Sequence, residues 1–96
     1  MIAPRTVKPF GLGQLLATPG ALAAIEQAGQ MPALFINRHA SGDWGEMCSD
    51  DWALNDKALE SGGRLLSAYS TAKGERIWVI TESDFRATTI LLPDEY

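Results

Sequence analysis

The sequence predicts an α+β fold in which N-terminal helices pack on a C-terminal three-stranded antiparallel sheet. Helix-start and helix-stop residues alternate through residues 18–63. Residues 64–96 contain separate runs rich in apolar, β-branched and aromatic side chains, joined by short turns. Because short links between consecutive strands favour antiparallel pairing, we expect these runs to form a meander.

The length and composition of the chain indicate a single domain over residues 1–96. Nearly half of the residues, 46%, are apolar, which is enough to build a core. Residues 1–17 are expected to form an extended arm, because Pro4 and Pro9 oppose regular structure. With one cysteine, no signal-like segment and no apolar run near the ~20 residues of a membrane span, we expect a cytoplasmic protein without a membrane partner.

Two helices are predicted between the arm and the central loop. Thr18 is a preferred N-cap residue, and Pro19 suits the first helical position, so a first helix is expected to run to about Ala28. Pro32 opens a second short helix that is expected to reach about His39.

A third helix is predicted after the central loop. Ser49 is its expected N-cap, and Asp50 and Asp51 lie in its first turn, where the helix dipole favours negative charge. Gly62 and Gly63 are expected to end it.

Three strands are predicted at residues 64–70, 76–82 and 87–92. The middle strand is expected to be the core of the domain, because both of its faces carry large apolar groups and Trp78 is among them. One face has Ile77, Val79 and Thr81, and the other has Trp78, Ile80 and Glu82.

The central loop, residues 38–45, contains the only histidine and is the strongest candidate site. His39 and Asp43 could form a pair in which the carboxylate orients the ring, and His39 could then serve as the general base or acid of a small ribonuclease. Arg38 or Arg86 would stabilise the phosphate charge. Hydroxyl donors from the sheet could contribute to this site, and the candidates are Thr81, Thr88 and Thr89. The competing interpretation is a structural role without catalysis, because a histidine at a helix C-terminus interacts favourably with the helix dipole.

Other features of the loop carry weaker signals. Trp44 is expected either to cover the core or to anchor an interface, since tryptophan is enriched in binding hot spots. Cys48 is interpreted as a small apolar filler. One cysteine and one histidine fall short of a zinc site, and the acidic residues lack the spacing of a calcium loop, so no metal and no cofactor is expected.

Charge is unevenly distributed along the chain. Residues 1–40 have three basic and one acidic side chains, whereas residues 41–96 have five basic and eleven acidic ones. Free nucleic acid is therefore not an expected partner, and a basic protein surface is. The predicted partner-binding residues lie in the acidic segment 43–60, and they are Asp43, Trp44, Glu46, Asp50, Asp51, Asp56 and Glu60.

Several segments resemble a widespread group of small bacterial proteins from plasmids, integrative elements and phages. The matching segments include Arg38-His39, Gly42-Asp43-Trp44-Gly45, Asn55-Asp56, Gly63–Tyr69, Trp78–Glu82 and Thr88–Pro93. Members of the group are often labelled plasmid-related or type I restriction-associated. The resemblance implies a mobile-element protein. The group has Asp-Arg-Ser where this chain has Asp84-Phe85-Arg86, so the resemblance assigns no role to Arg86.

These observations favour a binding protein that inhibits a bacterial defence complex, of the anti-CRISPR or anti-restriction type, through an acidic surface. Defence complexes have basic nucleic-acid channels, which an acidic protein can occupy. Two alternatives stay open, a ribonuclease-like enzyme using His39 and a regulatory protein that forms a homodimer through its sheet.

Overall fold

The computed structural model describes residues 10–96, which form three α-helices, four β-strands and a short 3-10 helix. The predicted α+β class is confirmed, and the first part of the predicted arm, residues 1–9, lies outside the described residues. The helices are α1 (Pro19–Gln27), α2 (Pro32–Ala40) and α3 (Ser49–Ser61), the strands are β1 (Gln14–Ala17), β2 (Leu65–Ser70), β3 (Arg76–Thr81) and β4 (Ala87–Leu91), and the 3-10 helix is Pro93–Glu95.

The starts of the helices follow their predicted signals with one exception. The Thr18 hydroxyl accepts a hydrogen bond from the backbone N–H of Ala21 at 3.1 Å, which confirms it as the cap of α1. The prediction that Ser49 caps α3 is wrong, because Cys48 occupies the N-cap position and makes no side-chain capping bond. The backbone N–H of Trp52 already donates to the Cys48 carbonyl at 3.0 Å, so the helix begins one residue earlier than predicted.

The sheet is larger than predicted and mixed, with the strand order β1-β4-β3-β2. Strands β2, β3 and β4 form the expected antiparallel meander. The prediction of three strands is wrong, because β1 pairs in parallel with β4, from Gln14 opposite Ala87 to Ala17 opposite Ile90. A strand of four residues is too short to show a periodicity, and its partner is remote in sequence, so no local pattern predicts the pairing.

The helices cover one face of the sheet and create the main core there. Ile77, Val79 and Thr81 are fully buried on that face of β3, as their alternation predicts. Trp78 lies on the opposite face and is only half-buried, with its ring against Tyr96 at 5.7 Å between centroids. The expected central role of Trp78 is therefore only partly met. Among residues 10–96 the three α-helices pack on the other face of the sheet, and the 3-10 helix contacts β3.

The outer edge of β2 is closed by side chains and by the central loop. The Asn55 amide donates to the Leu66 carbonyl at 2.7 Å, and its oxygen accepts from the Leu66 N–H at 3.1 Å. The Ala68 N–H donates to the Trp44 carbonyl at 3.0 Å, and the Ala68 carbonyl accepts from the Glu46 N–H at 2.6 Å. These bonds satisfy backbone groups that an edge strand otherwise exposes.

A glycine permits the close approach of the loop to β2. Gly45 has φ +80°, and a Cβ atom there would lie 2.0 Å from the Ala68 carbonyl oxygen. Only glycine fits both the left-handed backbone and the contact. None of the helices between residues 10 and 96 has the length and hydropathy of a membrane-spanning segment.

Candidate functional site

The last turn of α2 places the His39 ring inside the core. The residue has no solvent exposure, and its ring meets the ring of Phe10 at 5.7 Å and that of Trp44 at 5.4 Å, both edge to face. The predicted position of His39 near the C-terminus of a helix is confirmed. Its surroundings are aromatic and closed to solvent.

Both nitrogens of the His39 ring are engaged in a chain of buried hydrogen bonds. Nδ1 lies 2.5 Å from the Ser67 hydroxyl, and Nε2 lies 2.8 Å from the Thr81 hydroxyl. Thr81 is 2.7 Å from the hydroxyl of Thr88, which donates to the Leu12 carbonyl at 2.7 Å. This series of hydrogen bonds therefore runs across the sheet, from β2 through β3 and β4 to the segment that precedes β1.

The proton positions in this series of hydrogen bonds follow from the number of protons that each group can donate. A carbonyl only accepts, so the single hydroxyl proton of Thr88 points to Leu12 and Thr81 must donate to Thr88. Thr81 then has no proton left for His39, so Nε2 carries the proton and donates to Thr81. In the neutral ring Nδ1 is an acceptor, and the Ser67 hydroxyl donates to it.

The environment keeps this histidine neutral near pH 7. Burial lowers the pKa of His39 to about 4, because the charged ring loses its hydration in the core. A neutral ring with one protonated nitrogen is also the form that the hydrogen-bond chain requires. Both ring nitrogens bind hydroxyl groups, of Ser67 and Thr81, so neither nitrogen pairs with a carboxylate that would raise the pKa.

Asp43 does not pair with His39 but binds the neighbouring arginine. Its carboxylate accepts from Arg38 Nε at 2.7 Å and from the Gly45 N–H at 3.1 Å. This bond raises the pKa of Arg38 above its ordinary value. The Arg38 guanidinium also lies 4.4 Å from the centre of the Tyr69 ring, whose hydroxyl donates to the Asp43 carbonyl. Asp43 thus joins α2, the central loop and β2.

The third residue of the enzyme hypothesis lies elsewhere on the molecule. Arg86 is exposed, with 86% of its side chain accessible, and its nearest acidic partner is Asp84 at 3.6 Å. The structure therefore does not bring His39, Asp43 and Arg86 into one site. Of the predicted hydroxyl donors, Thr81 and Thr88 do reach the histidine network, whereas Thr89 is on the opposite face of β4.

Trp44 is part of the core. It has no solvent exposure, and its indole N–H donates to the Asp56 carboxylate at 3.0 Å. Of the two expectations for this residue, packing in the core is the one that the structure shows, so a partner-binding role for its side chain would require the core to open. Trp52 similarly donates to the Gly45 carbonyl at 3.2 Å, so two indole groups fix the central loop to α3.

The predicted acidic partner-binding residues divide into two groups. Asp43 and Asp56 are half-buried and hydrogen-bonded to Arg38 and Trp44. The other four are exposed, on α3 or just before it, and they are Glu46, Asp50, Asp51 and Glu60. We refer to these four residues as the acidic surface. Glu46 also accepts a bond from the Ser70 hydroxyl at 2.9 Å.

Ser67 and Asn55 were not predicted to have any role. A signal exists for each, because Ser67 is a small polar residue at an inward position between Leu65 and Tyr69, and Asn55 lies one helical turn before the buried Leu59. A polar residue on an apolar face indicates a specific hydrogen-bond partner.

The interpretation of Cys48 as a buried filler is wrong, since the residue is exposed before α3. Over the part of the chain that is described, no group of three His, Cys, Asp or Glu residues is arranged to hold a metal ion. Comparison of the chain with protein-family models, curated proteins and solved structures gave no match.

Proposed function

We propose that this protein acts by binding, and that it blocks a bacterial defence complex of the anti-CRISPR or anti-restriction kind through the acidic surface. The observation that carries the proposal is the exposure of Asp50, Asp51 and Glu60 on α3, with Glu46 just before the helix. Lys57 is the only basic side chain between residues 43 and 60. An exposed group of carboxylates with one opposing charge can steer association with a basic surface.

The division of acidic residues supports this choice of surface. The carboxylates of Asp43 and Asp56 already form hydrogen bonds that hold the central loop in place. The exposed carboxylates of α3 can meet a partner without breaking such bonds. Nucleic-acid channels in defence complexes are basic, and the resemblance to mobile-element proteins provides a setting in which blocking such a channel is useful.

The geometry favours binding over the ribonuclease alternative. A general base must lie within hydrogen-bond reach of its substrate. The His39 ring is enclosed, and its nitrogens already bind Ser67 and Thr81. Proton transfer from this residue to a substrate would first require the core to open.

A plating assay tests the function directly. The gene is expressed in strains that each carry one active type I restriction or CRISPR system, and each strain is challenged with a phage that its system restricts. We expect plating efficiency to recover by orders of magnitude in at least one strain. Failure to relieve any system in a broad panel would contradict the proposed function.

Charge reversal tests the surface. We expect the double variant Asp50→Lys/Asp51→Lys to lose protection and to bind the relieved complex about tenfold or more weakly at low salt, with a smaller difference at high salt. The matched control, Glu26→Lys/Asp94→Lys, makes the same change of net charge at exposed positions on α1 and the 3-10 helix, and it should keep protection. Equal loss in both variants would show that net charge, and not this surface, matters.

A further inference from the structure

Strand β1 has one edge that no other strand covers between residues 10 and 96. The N–H group of Gln14 donates to the carbonyl of Arg86, just before β4, and that of Thr18 donates to the carbonyl of Ile90 in β4, each at 2.9 Å. Backbone groups alternate in direction along a strand, so the N–H and C=O groups of Leu15 and Ala17 point away from the sheet. Within the described part of the chain, these four hydrogen-bonding groups therefore form an open edge.

An apolar groove of about 370 Å³ lies beside this edge, between β1 and α2. Its walls include Leu15, Ala17, Pro32, Ala33, Ile36 and Ile90, and none of its lining residues carries a charge. Leu15 is 55% exposed, and Leu34 of α2 is 44% exposed. Charged residues, prolines or bulges commonly protect an edge strand from pairing. None of these is present in β1.

We propose that β1 pairs with β1 of a second copy of this chain, antiparallel and with the two-fold axis at Leu16. The outward groups determine this register. If Leu15 faces Ala17 of the second copy, all four outward groups of each β1 form hydrogen bonds, and Leu16 faces its own equivalent in a non-hydrogen-bonded pair. The two sheets then join into one continuous sheet of eight strands, four from each copy.

The β1 edge is a place where two copies of the chain can meet with little charge repulsion, and its side chains are complementary to each other in this register. The chain has a net charge of −4, so two copies repel each other across most of their surfaces. The groove and β1 are uncharged, and two copies can meet there without opposing like charges. Size is also complementary, because the large side chain of Leu15 would lie opposite the small one of Ala17, on the face that carries the groove.

Sedimentation of the full chain over micromolar to millimolar concentrations tests the association. We expect a reversible dimer with twice the mass of the chain. Leu15→Glu places like charges near the axis and should give a monomer with a cooperative melting transition. Leu54→Glu makes the same change at a leucine of α3 that is 64% exposed, and it should stay dimeric. A wild-type chain that is monomeric throughout, or a Leu54→Glu variant that dissociates equally, would overturn the proposal.

A disulfide tests the register, and it does so without depending on the Leu15→Glu variant. Cα atoms in a non-hydrogen-bonded antiparallel pair are about 4.5 Å apart, within the range that a disulfide spans. With the native thiol removed, Cys48→Ser/Leu16→Cys should form a covalent dimer under mild oxidation, and Cys48→Ser/Leu54→Cys should not. No excess of cross-linking at position 16 over position 54 would overturn the pairing, and would point to another occupant of this edge.

Discussion

The two edges of the sheet are built in opposite ways. At the β2 edge, the side chain of Asn55 and the backbone of the central loop bind the outward groups of Leu66 and Ala68. At the β1 edge, the outward groups of Leu15 and Ala17 have no neighbouring strand among the described residues. One edge is closed by polar contacts of the chain with itself, and the other is uncharged and is left open by residues 10–96.

The difference between the two edges shows that the polar residues of the central loop stabilise the fold. The residues that make the central loop conspicuous in the sequence, His39, Asp43 and Trp44, are all engaged in bonds that fix α2 or the loop to the rest of the fold. Exposed groups available to a partner are instead found on α3 and β1. A motif that stands out in the sequence can therefore serve to stabilise the fold. A short strand without polar or charged signals can instead provide the edge that a partner binds.

Loss of the closed edge should have the largest effect on stability. Trp44→Ala removes a fully buried indole and its bond to Asp56, and we expect it to lower the free energy of unfolding by about 3–5 kcal/mol. Trp78→Ala makes the same chemical change at a half-buried position outside this edge and should cost less. Chemical denaturation of both variants measures the difference. An equal or larger loss for Trp78→Ala would contradict the ranking.

A single amide tests the closure of β2 more specifically. Asn55→Ala leaves the N–H and C=O groups of Leu66 without their partner, and we expect a loss of about 2–3 kcal/mol. Asn37→Ala is the matched control, since Asn37 is an exposed asparagine in α2, and its unfolding free energy should change by about 0.5 kcal/mol or less. If the two variants melt alike in calorimetry, the Asn55 bonds do not stabilise the edge.

The hydrogen bonds of His39 connect the strands from the β2 edge of the sheet to the segment before β1. The pH dependence of stability tests the neutral state of this ring. Folding lowers the pKa of His39 from 6.5 to about 4. Below about pH 6.5 the unfolded chain therefore binds a proton that the folded chain does not, so stability falls as the pH falls towards about 4. Between about pH 7 and about pH 5 the expected loss is about 2 kcal/mol.

The variant His39→Gln provides the control for this pH dependence. Glutamine does not titrate, so we expect the variant to be less stable near pH 7 but to lose this part of the pH dependence. Denaturant titrations of both proteins across the range measure the slopes. Equal slopes, or an imidazole that titrates near its ordinary pKa in the folded protein, would contradict the buried neutral state.

Most of the local structure could be predicted from the sequence, and the long-range pairing could not. Thr18-Pro19 and Pro32 begin helices as their chemistry dictates, and the alternation in β3 identifies the face that the helices cover. The strand β1 depends on hydrogen bonds to β4, about seventy residues away in sequence, so its short segment carries no periodic signal.

The candidate site shows the same limit. The position of His39 at the end of α2 follows from local rules, whereas its partners Ser67 and Thr81 come from strands that only the tertiary fold brings near. Asp43 is close to His39 in sequence, which suggested a pair, yet its carboxylate binds Arg38. Spacing along the chain therefore identified important residues but not their partners.

Amide hydrogen exchange measured at several protein concentrations tests the contrast between the two edges most directly. We expect the N–H groups of Leu66 and Ala68 to exchange slowly at every concentration, because they are bonded within the chain. The N–H groups of Leu15 and Ala17 should exchange rapidly in dilute protein and become protected as concentration rises, while that of Leu16, which points to β4, stays protected. Slow exchange of Leu15 and Ala17 in the dilute monomer, or rapid exchange of Leu66 and Ala68, would contradict the assignment of an open and a closed edge.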